Sequence, residues 1–223
     1  MAEPIMKRVK GDGIEINLAI WEGAGQPLLC IHGITANCRC WDTLAETLAP
    51  EHHVMAMDLR GRGRSDKPSQ GYALDYHLRD INCLLDDLAL DRAVIMGHSL
   101  GAFIGLAFAA EYPGRVERLI LVDGGGDLSQ DQMEKVFVGI KPALDRLGQV
   151  FPTADAYLEK MRAAPYIQPW SAVTEAYYRY EIEMVEGGVR TNIAPAHIQE
   201  EAANIRKVDC APYYPQVKCN VLI

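Results

Sequence analysis

No stretch of this sequence is apolar for long enough to cross a membrane, and Met1 to Lys10 holds no apolar core of the kind that opens a secretory leader. The expected setting is cytoplasmic, with no membrane partner. Basic residues are the minority among the charges: 22 Lys and Arg face 30 Asp and Glu, a formal net charge of -8. That surplus repels phosphate backbones, so nucleic acid is not an expected partner. No internal repeat and no low-complexity tract occurs, which excludes a solenoid. Paired metal-binding cysteines are missing too. Cys38-Arg39-Cys40 is too tight for a zinc knuckle, and Cys30, Cys83, Cys210 and Cys219 supply no second pair. The thiols read as reduced, several of them core fillers, and neither a metal nor an organic cofactor is expected.

What is present is the material of one soluble domain: 223 residues, 49% of them apolar and 23% charged. Ile5 to Lys10 and Ile14 to Trp21 flank the hairpin signal Gly11-Asp12-Gly13. Pro27 to Ile31 and His53 to Leu59 are short apolar runs, the mark of strands buried on both faces. Trp41 to Leu48 has helical spacing, and Leu74, Leu78, Ile81, Leu85 and Leu88 share one helix face. Val116 to Val122 is a further strand. This alternation predicts an α/β fold with a mostly parallel sheet and helices on both faces. Ligands of such sheets bind beyond the carboxyl ends of the strands. His32-Gly33, Asp58 to Arg64, Ser99 and Asp123 all fall at those ends. Gly61-x-Gly63 lacks a third glycine in register and a following helix. It reads as a structural loop across the top of the sheet, not a phosphate cradle.

The centre of the chain is Gly97-His98-Ser99-Leu100-Gly101, entered from the apolar run Ala93 to Met96 and left through an Ala-rich helical pattern. Strand, tight turn and helix follow at once. A serine at such a tip is held in a strained backbone conformation with its hydroxyl projecting from the sheet. The Leu100 N–H opens the helix N-terminus, where negative charge is favoured. That is the geometry of an acyl-transfer nucleophile.

From Asp127 the pattern turns helical. Ser129-x-x-Gln132 is a capping box, Pro142 breaks the helix it opens, and Thr153 caps a second helix. Trp170 to Val185 reads as a third, ended by Gly187-Gly188, and Ala196 to Lys207 as a fourth, with no strand among them. The expected organisation is a core over 1–126, a helical lid over 127–207, and the start of a returning core strand over 208–223. Trp170 and Tyr177 belong to a set of aromatics that either line an apolar pocket beneath this lid or pack its helices together.

The chain resembles the α/β-hydrolase superfamily, in particular its lid-bearing, esterase-like members. The resemblance rests on His32-Gly33 with Trp41 following, on Asp58-Leu59-Arg60-Gly61-Arg62-Gly63-Arg64-Ser65-Asp66-Lys67-Pro68, on Gly97 to Gly101, and on Arg118-Leu119-Ile120-Leu121-Val122-Asp123. It implies a serine-dependent hydrolase of small, largely apolar carboxylic esters, lactones or related acyl substrates, without a cofactor. Ser99 would attack the acyl carbonyl, and the N–H groups of Leu100 and Ile34 would hold the oxyanion. His32 and Gly33 would shape the substrate-side loop, His98 would pack beside the nucleophile, and Trp170 and Tyr177 would border the substrate. Asp123 would be either the acid, as in some relatives, or a loop cap.

In the family the base is a histidine after the last strand, and the acid usually follows the strand that begins here near Val217. None of His32, His52, His53, His77, His98 and His197 holds that position. His77 is expected on the solvated side of its helix and His197 in the lid. The expectation is therefore a partial, weakly active chain whose C-terminal strand and helix are missing. The alternatives are a ligand-binding protein of this fold without catalysis, or a C–C bond hydrolase. The expected partner is a small acyl substrate, and a homodimer is allowed.

Overall fold

The computed structural model describes residues 3–223. In chain order its first elements are β1 (Ile5–Lys10), β2 (Glu15–Trp21), β3 (Pro27–Ile31), α1 (Asp42–Leu48), β4 (His53–Met57), α2 (Leu74–Asp87), β5 (Ala93–His98), α3 (Leu100–Glu111) and β6 (Val116–Val122). After β6 come α4 (Gln130–Gly139), α5 (Lys141–Asp145), α6 (Ala154–Arg162), α7 (Ala172–Tyr180), β7 (Ile182–Val185), β8 (Gly188–Thr191), α8 (Pro195–Ile205) and β9 (Asn220–Leu222). Seven strands form the main sheet in the order β1-β2-β4-β3-β5-β6-β9. The pairs β1/β2 and β2/β4 are antiparallel, and from β4 onward every pair is parallel. Among the described residues no helix is long and apolar enough to cross a membrane.

The period-2 alternation of strands divides the core into two layers. Ile16, Leu18, Leu29, Ile31, Met55, Met57 and Ile95 face the layer that also holds the buried faces of α2 and α3. Ala19, Trp21, Leu28, Cys30, Val54, Ala56 and Met96 face the layer closed by Trp41 and Ala45. The central strands read as unbroken apolar runs because both of their faces are covered.

The excursion between β6 and β9 carries a small core of its own, built on Phe151, Tyr157, Leu158, Met161, Ile167 and Val189. Ser129 and Gln132 form the capping box of α4, and the Thr153 side chain accepts from the Ala156 N–H at the start of α6. One element departs from expectation. The segment Trp170 to Val185 is not a single helix: α7 ends at Tyr180, and Ile182–Val185 pairs with Gly188–Thr191 as an antiparallel hairpin. Glu181, fully buried, is the junction at which the chain leaves α7 and pairs with the returning strand. Gly187, at φ +85, serves the hairpin turn and not a helix cap, and a Cβ on Gly188 would overlap the Phe151 carbonyl.

His77 is also not on a solvated face. It is buried in α2, with Nε2 2.6 Å from Glu201 Oε1 of α8. Helical spacing places it beside Leu78 and Ile81, and α8 covers the remainder. The Arg60–Pro68 loop is structural, as its sequence suggests. Asp58 accepts from the Cys38 and Arg64 N–H groups, the Asn17 amide and the Tyr180 hydroxyl, and Arg60 pairs with Asp80 at 2.7 Å, both buried.

Candidate active site

Ser99 joins β5 to α3 with φ 51 and ψ -115, a conformation that a non-glycine residue adopts only under constraint. The constraint is visible on both sides. A Cβ on Gly97 would overlap the Gly101 carbonyl, and one on Gly101 would overlap the Ile31 carbonyl. Strand β5, helix α3 and the end of β3 therefore meet at distances that only glycine permits. The Ser99 N–H donates to Val122 O at 2.9 Å, and its carbonyl accepts from Ala102 and Phe103. The turn is thus pinned to the β6 exit and to the first turn of α3.

The β3 exit runs against this serine. A Cβ on Gly33 would lie 3.4 Å from Ser99 Cβ and 3.3 Å from His98 Nδ1. Neither the Ile34 N–H nor the Leu100 N–H has an acceptor among the described residues. His32 beneath this loop is fully buried, and burial drives its imidazole down to about 4. A neutral ring fits its bonds. Nδ1 lies 2.7 Å from the Gly33 carbonyl, and Nε2 accepts from the Leu59 N–H at 3.0 Å. Its role in the structure is to brace the loop.

Asp123 follows β6 at φ 49, with Ser99 and Ala89 one of three non-glycine residues at positive φ among the described residues. Its carboxylate is exposed and stands 3.9 Å from His98 Nε2, beyond hydrogen-bonding range. Burial lowers the His98 imidazole while Asp123 pulls it upward. Ser99 and Asp123 line one cavity of about 490 Å³, walled by Phe103, Leu121, Leu128 and Met133. No histidine lines it among the described residues. His197 stacks on Tyr72 at 4.6 Å in the α8 region.

The two aromatics expected at the substrate take different places. Trp170 does not line the Ser99 cavity; it stacks on Tyr178 with centroids 5.9 Å apart, inside the excursion. Tyr177 lines a separate cavity of about 370 Å³ shared with Thr35, Arg39 and Arg146. Among the described residues, no group of three His, Cys, Asp or Glu side chains gathers in a metal-holding cluster.

Two residues beside the site escape sequence reasoning. Arg62 Nε donates to the Ile34 carbonyl at 3.2 Å, and Arg146 Nη2 donates to the Thr35 carbonyl at 3.1 Å. An arginine in a Gly-Arg-Gly loop and another at the end of a short helix carry no local sign of such a task.

Comparison with known proteins shows the family of the chain. A family model described as alpha/beta hydrolase fold matches residues 26–175. A curated relative, the 2-(acetamidomethylene)succinate hydrolase of Mesorhizobium japonicum, is 30% identical over 98% of this chain and 76% of its own length. The crystal structure of E-2-(acetamidomethylene)succinate hydrolase superposes with a TM-score of 0.86 at 28% identity, over 98% of this chain and 79% of that one. The enol-lactonase of Burkholderia xenovorans, at 20% identity and a TM-score of 0.70 over 96% of this chain and 79% of its own, shares the fold. A strained serine between parallel strand and helix, on a sheet that these proteins reproduce almost end to end, leaves one assignment: the chain belongs to the alpha/beta hydrolase fold family.

Proposed function

We propose that this hydrolase is serine-dependent and acts on a small, largely apolar carboxylic ester, lactone or related acyl substrate. The observation that carries the reading is the cavity at Ser99: a nucleophile on a strained turn, two unpartnered backbone N–H groups beside it, and an apolar wall. Ser99 Oγ attacks the acyl carbon, and the carbonyl oxygen takes the electron pair as an oxyanion held by the Leu100 and Ile34 N–H groups. The oxyanion then collapses, the leaving group departs with the proton, and water releases the acid. Asp123, raised into the same cavity on a strained backbone, is the acid of the site. Leu128 and Met133 line the cavity from the start of the excursion, which supports its role as a lid.

Removing one triad member leaves the catalysis that oxyanion binding alone supplies, about 10³- to 10⁴-fold over water. With no imidazole lining the Ser99 cavity among the described residues, hydrolysis of p-nitrophenyl acetate and butyrate is expected to stay at this residual level. A fluorophosphonate should still label the chain covalently, and a label that Ser99→Ala retains would overturn the reading.

A second reading gives the acyl substrate carboxylate groups. It is favoured by the 30% identity, along 98% of the chain, to a hydrolase of 2-(acetamidomethylene)succinate. Protection of Ser99 from a fluorophosphonate label by a small dicarboxylate, and not by butyrate, would select this reading over the first.

A further inference from the structure

In the loop after β3 the carbonyls of Gly33, Ile34 and Thr35 are all occupied, while the Ile34 N–H has no acceptor among the described residues. The Gly33 carbonyl accepts from the Ala36 N–H at 3.1 Å and meets His32 Nδ1 at 2.7 Å. The next two carbonyls accept from buried arginines: Ile34 from Arg62 and Thr35 from Arg146. A peptide unit is planar, so anchoring the Gly33 carbonyl sets the direction of the Ile34 N–H on the opposite side. Anchoring the following two carbonyls blocks the rotation that would turn this N–H away.

Both arginines are held from the excursion. Arg146 forks onto Glu181, with Nε and Nη2 each 2.9 Å from a carboxylate oxygen. Glu181 also takes the Tyr157 hydroxyl, and its own carbonyl accepts from Asn192 at 2.7 Å. Arg62 is paired with Glu201 of α8, whose other oxygen lies 2.6 Å from His77 Nε2. All four charged side chains are nearly or fully buried. Buried ion pairs seldom repay their desolvation in net stability, and an apolar pair of similar volume often does as well. Stability alone is a weak reason for two of them to converge on adjacent carbonyls of one loop. Fixing the geometry of that loop is a sufficient one.

We infer that Arg146–Glu181 and Arg62–Glu201 are positioning pairs through which the excursion between β6 and β9 holds the Ile34 N–H in its oxyanion-binding direction. The inference rests on the proposed role of Ser99 and Ile34. It makes the seating of α8 and of the α7–β7 junction a condition for full reactivity at a serine that neither touches.

The test is covalent labelling of Ser99 by a fluorophosphonate in the whole chain. Labelling rate and reversible affinity are read separately, and hydrogen exchange is followed over 31–41. The variant Arg146→Gln/Glu181→Gln removes both charges together and leaves no lone buried ion. Its maximal labelling rate is expected to fall about 10- to 100-fold with affinity unchanged, since a donor displaced by about 1 Å costs that order. Exchange should rise over 31–41 and stay unchanged over β5. Tyr157→Phe removes a partner of Glu181 without touching Thr35, and should label like the wild type. If the double variant gives no cooperative melt, Arg146→Lys is read in its place; it keeps the charge but not the fork, and should move the rate the same way. A folded variant that labels at the wild-type rate overturns the inference alone. Wild-type labelling that is absent, or that survives in Ser99→Ala, overturns the reading beneath it and the inference with it.

Discussion

Two strand exits flank Ser99, and they are built in opposite ways. After β3, the carbonyls of Gly33, Ile34 and Thr35 each have a partner, the supporting imidazole is buried, and α3 presses on the backbone through Gly101. After β6, three glycines follow a carboxylate that stands in solvent with no close partner. Under the proposed roles, only the first exit is finished for its work. Charge that develops on a substrate oxygen is stabilised best by dipoles that do not reorganise, so their support must be rigid. A carboxylate that orients an imidazole must be held as well, and at Asp123 only the backbone is. The strained φ of Asp123 fixes its backbone, while its side chain stays free.

The contrast can be broken most sharply at Gly101. A Cβ there meets the Ile31 carbonyl, and the His32 carbonyl at 2.9 Å, both backbone with nothing flexible to yield. Gly101→Ala is expected to cost at least about 3 kcal/mol of unfolding free energy, read from the denaturant midpoint; a loss below about 1 kcal/mol would mean that this exit is softer than described.

Acid comes next in size. The ordinary imidazole value is 6.5, and the folded chain holds His32 at about 4. Between these values the unfolded chain binds a proton that the folded chain refuses, so stability falls as pH falls, by about 1.4 kcal/mol per unit. From pH 7 to pH 5 the wild type should lose about 2 kcal/mol more than His32→Asn. Parallel pH profiles for the two would remove the neutral-brace role.

The smallest effect belongs to the open exit. A Cβ on Gly126 meets nothing within 4 Å. Gly126→Ala should shift stability by no more than about 0.5 kcal/mol, and a larger loss in a thermal melt would show that this exit is also packed.

Much of this fold is legible in the chain. Apolar runs of strand length, set between helical spacings, locate the sheet up to β6, and Gly97 and Gly101 announce the turn whose backbone strain the structure displays. The sequence is less informative where a partner lies far along the chain. His77 has an amphipathic helix around it and no local hint that α8 will cover it. Ile182–Val185 continues a helical spacing well enough to hide a hairpin, because what turns the chain there is pairing with Gly188–Thr191 and the burial of Glu181 against Arg146. Arg62 sits between two glycines of a structural loop, with no local sign that Glu201 will be set opposite it. Local periodicity encodes which face is buried. It does not encode which charge from another element will be buried with it.

The length of chain between these partners also orders events in time. Thr35 meets Arg146 across 111 residues, and His77 meets Glu201 across 124. Closing such loops costs entropy before any bond repays it, and contacts so distant form late. The strained serine turn needs only β3, β5, β6 and α3, all finished by Val122. During N-terminal-first synthesis, the strained serine turn is therefore complete before the loop opposite it is braced. A nascent chain of this protein carries that turn while the loop facing it still waits for residues 181 and 201 to arrive.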